Sequence, residues 1–145
     1  MKNLIRAAAI GLAATAVALP ALAAQTGSPV LGAPNGTQWA KPYHFFTAGT
    51  TNSTLIGAGT PTLLWVTSNN PNGAIYLKIY DKATAPVCGT DTPVATIEIG
   101  AAAVGFKRFV GLSTTKGLGF CVTGALADSD TTTVTANSQL DFFWK

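Results

Sequence analysis

Few side chains in this 145-residue chain can do chemistry: two cysteines, one histidine, six carboxylates, three tryptophans and three tyrosines. Cys88 and Cys121 lie 33 positions apart, and in the oxidising compartment of an exported chain they are expected to form a disulfide, with two isolated thiols as the alternative. A structural zinc needs four ligands, more than this pair supplies. If paired, they close a loop that stabilises by roughly 3.5–4 kcal/mol on the chain-entropy model. That bond would pin a Pro-rich connection to a strand, a structural role and not a catalytic one. His44 stands between Tyr43 and Phe45. A Ser–His–Asp relay needs a nucleophile in a defined context, and no G-x-S-x-G elbow is present. The bland reading is an imidazole packed among aromatics.

The carboxylates are Asp81, Asp91, Glu98, Asp128, Asp130 and Asp141. A glycosidase needs two of them across a cleft, but none stands in a recognisable motif. Asp128 and Asp130 alternate ahead of three threonines, the weak outline of a cation loop. The further oxygens, glycine and bidentate glutamate of an EF-hand are missing, so the structural reading is an Asx-type turn and no metal site is assigned. No cofactor motif occurs. Tyr76 and Tyr80 fall on one face of a strand, about 13 Å apart, and with Trp65 they outline a platform on which alternate units of a glycan would stack. The competing reading has these rings covered by a sheet or a neighbouring subunit. Asn35-Gly-Thr37 and Asn52-Ser-Thr54 match the glycosylation triplet.

The elements that would position these groups are short strands. Trp39–Phe46 is aromatic and broken by Pro42, which fits an edge strand because proline removes a ladder donor. Asn52–Gly59 is loop-like with an apolar centre at Leu55-Ile56. Thr62–Ser68 is β-rich and runs into Asn69-Asn-Pro-Asn-Gly73, the strongest turn signal in the chain. Ala74–Asp81 alternates, with Ile75, Leu77 and Ile79 facing a core and Tyr76, Lys78 and Tyr80 facing a partly wet side. Val94–Ile99, Phe106–Leu112, Gly119–Thr123 and Ser138–Trp144 complete the set. Only Ala101–Ala103 tolerates a helix, and Gly100 and Gly105 bracket it. Seven to eight strands with turns between them predict one antiparallel β-sandwich, jelly-roll or Ig-like, over residues 37–145.

Residues 1–23 read as a signal peptide: Lys2 and Arg6, an apolar Ala7–Leu19, then Ala21-Leu-Ala23 for cleavage. Residues 24–36, rich in Gly, Pro and Ser, read as a flexible arm. Cleavage leaves 122 of the 145 residues, with seven basic against six acidic side chains, so the formal charge falls from +3 to +1. That balance argues against a nucleic-acid partner, which calls for clustered phosphate contacts. The charged fraction is 10%, well below the roughly 25% of ordinary domains. Little repulsion keeps copies apart, which favours self-association or a protein partner. No later stretch has membrane-spanning length. The expected location is periplasmic, cell-surface or extracellular.

Two segments carry a resemblance. Tyr76–Ile99 (YLKIYDKATAPVCGTDTPVATIEI) resembles a strand–loop–strand unit of small proteins of tailed bacteriophages and prophages, with its Y-[DN]-K-A, A-P and G-T-D-T-P pattern. Gly124–Lys145 is similar to their closing A-D-x-D-T-T turn and apolar last strand. The resemblance implies a β-sandwich used as a virion-associated or surface structural piece, with no catalytic residues to carry over. The leader and the two cysteines depart from that group and point to an exported version. The expected function is thus a non-enzymatic, exported structural or surface-assembly module, with a secreted carbohydrate-binding module as the alternative.

Overall fold

The computed structural model of the protein describes residues 40–145. The expected leader, the arm, Asn35 and Trp39 lie outside the described residues. Eight strands follow in order: β1 (Lys41–Phe46), β2 (Thr54–Ala58), β3 (Thr62–Asn69), β4 (Ile75–Asp81), β5 (Ala95–Ile99), β6 (Phe106–Ser113), β7 (Gly117–Thr123) and β8 (Gln139–Trp144). Among the described residues there is no helix, and Ala101–Ala103 lies in a turn that holds Ala102 at a φ of 52°. β2 appears where composition reads as loop. Gly57 and a bulge between Leu55 and Gly57 hide the strand pattern, and pairing with β7 overrides local propensity.

Two antiparallel four-stranded sheets pack face to face, in the orders β1-β8-β3-β6 and β2-β7-β4-β5. Every connection passes from one sheet to the other except that between β4 and β5. Between the two sandwich topologies expected, this order is the jelly roll. The Asn69–Gly73 signal marks such a crossover and not a hairpin. Asn70 makes it rigid. Its buried Nδ2 donates to the carbonyls of Gly73 and Gly100, both at 2.9 Å, while Oδ1 accepts from Asn72 N at 3.1 Å and Ser138 Oγ at 2.7 Å. A buried amide with all four bonds made incurs no desolvation penalty and fixes one loop geometry.

The alternating aliphatic sets meet between the sheets. Ile75, Leu77, Ile79, Ile97 and Ile99 pack against Leu63, Val66, Leu140 and Phe142, with Leu118, Phe120 and Val122 from β7. Phe120 is the aromatic centre, its ring centroid 4.5 Å from that of Phe142 and 5.0 Å from that of Phe45. Burial at roughly 25 cal/mol per Å² of apolar surface drives the two sheets together.

Candidate functional site

The outer faces of the two sheets differ. That of β2-β7-β4-β5 is covered by the 82–94 and 124–138 connections. Gly117 and Gly119 on β7 permit the first to lie flat, since a Cβ at Gly117 would meet Lys82 O at 2.3 Å and one at Gly119 would meet Pro86 Cδ at 2.9 Å. Cys88 and Cys121 fasten it with a disulfide, their Cα atoms 6.0 Å apart. Asp91 braces it from within, accepting from Lys82 Nζ at 2.5 Å and Val87 N at 2.6 Å. Those two donors, Lys82 first, hold its carboxyl below the usual range.

Lys78 and Tyr80 are both fully buried, Lys78 under the second connection. This corrects the expectation that the Tyr/Lys side of β4 is partly wet: alternation reports which side a residue takes, not what a distant loop lays over it. The Lys78 ammonium donates to the carbonyl oxygens of Ala127 at 2.5 Å and Asp130 at 3.5 Å. The Tyr80 hydroxyl is buried with no hydrogen-bond partner among the described residues. Burial first, then the charges of Asp128 and Asp91, push it above the ordinary tyrosine value.

The residues singled out from sequence as a ligand platform are not brought together. Tyr80 is inside, Tyr76 is half-buried on the same sheet, and Trp65 stands on the other sheet. Asp130 forms the Asx turn of the structural reading, Oδ1 accepting from Thr132 N at 3.1 Å and Oδ2 from Ala125 N at 2.9 Å. Partial desolvation, which raises its carboxyl, is outweighed by the bonds from Thr132 and Ala125, and the net shift is downward. Asp128 is exposed. No group of three His, Cys, Asp or Glu is placed to hold a metal among the described residues. Asn52 is buried in its own turn at a φ of 55°, its Nδ2 donating to Thr50 O at 2.7 Å and Ala48 O at 3.1 Å. Its amide is therefore not presented for glycosylation.

The outer face of β1-β8-β3-β6 is the open one. Register carries a polar row across it, His44 opposite Asp141, Asp141 opposite Thr67, and Thr67 opposite Lys107. Asp141 is the hub. Its Oδ1 is hydrogen-bonded to His44 Nδ1, and its Oδ2 accepts from Gln139 Nε2 at 3.0 Å and Thr67 Oγ1 at 3.4 Å. The pair supplies two members of a hydrolytic relay, but among the described residues no hydroxyl is hydrogen-bonded to the imidazole. Beside this row stand aromatics. The Trp65 and Phe143 rings are stacked at 4.7 Å with 15° between planes, and Lys107 Nζ lies 5.5 Å over the Trp65 ring. These partners come from the two strands flanking β3, so both neighbours take up indole face that a sugar would use. Phe46, 55% exposed, packs edge-on to His44 at 4.8 Å.

At one end of this face a shallow groove of about 390 Å³ is lined by residues including Thr67, Asn69, Lys107, Gln139 and Asp141. Of these face residues, sequence reasoning named His44 and Trp65, and Asp141 only as one of six carboxylates without a motif. The signal that finds the rest is the outward set of each alternating strand, Gln139, Asp141 and Phe143 in β8 and His44 and Phe46 in β1. Compared with known family models, curated proteins and solved structures, the chain matches none.

Proposed function

We propose that the protein is an exported, non-enzymatic jelly-roll module that works by assembling with other protein surfaces. The observation that carries this reading is the asymmetry of the two faces. One is sealed by tethered connections; the other leaves a flat array of aromatic and polar side chains in solvent, centred on Asp141 and rimmed by Phe46. Aromatics on an open, weakly charged face are the composition of an interaction surface. The polar network of the closed face is engaged in holding loops. The resemblance of Tyr76–Ile99 and Gly124–Lys145 to phage structural proteins supports the same reading. Light scattering and electron microscopy of the purified chain test it. Oligomers or ordered assemblies that Phe46→Glu disperses are expected. A species that stays monomeric and assembles with nothing under any condition contradicts it.

One observation favours glycan recognition as a second reading. The groove residues offer the hydroxyl, amide and carboxylate groups that pair with sugar hydroxyls. In this reading the ligand sits at Thr67, Gln139 and Asp141 and not at Tyr76 and Tyr80. Glycan-array binding lost in Asp141→Asn and Gln139→Ala would promote it over the first; flat arrays remove it.

A further inference from the structure

A sandwich of two open sheets has four edge strands, here β1 and β6 on one sheet and β2 and β5 on the other. Unpaired edges invite strand addition, and proteins blunt them with proline, charged side chains (lysine above all), bulges and short strands. Three of the four are blunted in this way. β1 contains Lys41 and Pro42. β2 is broken by the Leu55/Gly57 bulge and ends beside Gly59 at a φ of 91°. β6 carries Lys107 and Arg108, both exposed, and Gly111 at a φ of 62°. β5 has no proline, lysine or bulge, and its one charged side chain is Glu98. Its register against β4 runs unbroken from Ile75↔Ile99 to Ile79↔Ala95, and among the described residues β4 is the only strand bonded to it.

The sequence of this edge is also complementary to itself. Two copies of Ala95–Ile99 in antiparallel full overlap share a two-fold axis at Ile97. Ala95 then stands opposite the other copy's Ile99, and Thr96 opposite its Glu98. Glu98 is the only charge on the strand, and this register keeps the two copies of it from facing each other, where like charges would repel. Ala95, Ile97 and Ile99 lie on the core side, so pairing makes the two cores continuous at their margin. Val94, 51% exposed at the start of the strand, adds apolar surface next to the junction. The net charge of +1 over residues 24–145 imposes little general repulsion.

We propose that the free edge of β5 is a self-association surface, on which a second copy of this chain adds its own β5 antiparallel about Ile97 to make one eight-stranded sheet. The inference goes beyond the assembly reading: this contact lies at the edge of β2-β7-β4-β5 and leaves the open face of β1-β8-β3-β6 free for other surfaces. An isologous contact of this kind closes as a dimer. A five-residue edge buries less than the roughly 1,200 Å² of a durable interface, so the dimer is weak and depends on concentration.

The test is sedimentation equilibrium of the purified, disulfide-intact chain, with hydrogen exchange of the 94–100 segment at low and high concentration. The expected result is dimerisation with exchange slowed across Ala95–Ile99. Thr96→Glu places two like-charged pairs across the axis and is expected to weaken the dimer about tenfold. Glu98→Lys alone leaves it near the starting affinity, because Lys then faces Thr96. The double change Thr96→Glu with Glu98→Lys restores or strengthens it, because opposite charges now meet twice. Unchanged melting temperatures of the dilute monomers show that folding is intact. Association without slowed exchange at 95–99, or without the loss and rescue, overturns the β5 contact and leaves the assembly reading standing. A chain that stays monomeric throughout overturns the contact, and an absence of any assembly by electron microscopy then removes the broader reading as well.

Discussion

Lys78 and Cys121 stand directly opposite each other on β4 and β7, and each meets a different connection of the covered face. The ammonium of Lys78 takes two carbonyls of the 124–138 connection, and Cys121 is bonded to Cys88 in the 82–94 connection. The connections also touch each other: a Cβ at Gly89 would lie 2.4 Å from Thr131 Cγ2 and 2.9 Å from Ser129 O. Two adjacent positions in the sheet thus hold down both loops that seal it.

Removing the disulfide should loosen this cover without unfolding the sandwich. Cys88→Ser with Cys121→Ser is expected to lower stability by about 2–4 kcal/mol, within the range for a loop of this length. Denaturant titration of the variant against the parent measures it. Intact mass after alkylation of exported, unreduced chain should show no added label; two labelled thiols would contradict the bond.

Lys78→Met keeps the length of the side chain and deletes both carbonyl bonds. Bonds from a charged donor contribute about 1.5–3 kcal/mol, and a loss of that size is expected on denaturant titration, along with faster proteolysis of the 124–138 connection. A variant as stable as the parent would show that the ammonium does not hold the loop.

Tyr80→Phe should behave in the opposite way. The hydroxyl is buried without a partner among the described residues, so its removal relieves a desolvation cost and stabilises by about 1 kcal/mol. The same group makes the parent sensitive to alkali. It ionises near pH 10 in the unfolded chain but at higher pH in the folded one, so the unfolded state binds fewer protons above pH 10 and stability falls as pH rises. Melting curves from pH 8 to 11 should show a decline in the parent that is smaller in Tyr80→Phe.

The acid limb follows from Asp81. Its carboxylate accepts from the backbone N–H of Lys116 at 2.7 Å, from the hydroxyl of Thr115 at 2.8 Å and from the N–H of Thr115 at 3.0 Å. These bonds, that of Lys116 first, lower its pKa to about 2. A free aspartate titrates near 3.9. The stability from this turn is therefore present above about pH 4 and is lost as pH falls toward 2. Asp81→Asn should lower the melting temperature at pH 7 and flatten its fall between pH 4 and 2. An unchanged slope would show that the turn is held otherwise.

Much of the fold is legible in local pattern because its strands have one dry side. IYLKIYD and ATIEI alternate cleanly, and the Asn-Pro-Asn-Gly turn has the residues its geometry needs. The turn's role as a crossover is not local. It depends on which sheet β4 joins, and that is settled by pairing with β7, more than 35 residues downstream in sequence. The burial of Lys78 and Tyr80 is likewise invisible in β4, since their cover comes from connections laid over the sheet. The open face is legible in part. Outward positions of β1, β3 and β8 can be read from alternation, but the convergence of His44, Thr67 and Gln139 on Asp141 requires the sheet order β1-β8-β3.

The central claim is that the open face of β1-β8-β3-β6 is a surface for protein assembly, and hydroxyl-radical footprinting of dilute and assembled chain tests it most directly. The side chains that report are the exposed or half-exposed Phe46, His44, Trp65 and Phe143, with Tyr76 on the opposite sheet as an internal reference. The account predicts that oxidation of the first four drops on assembly while that of Tyr76 holds steady. Assemblies larger than the β5-paired dimer in which Phe46, His44, Trp65 and Phe143 oxidise as fast as in the dilute chain would contradict it.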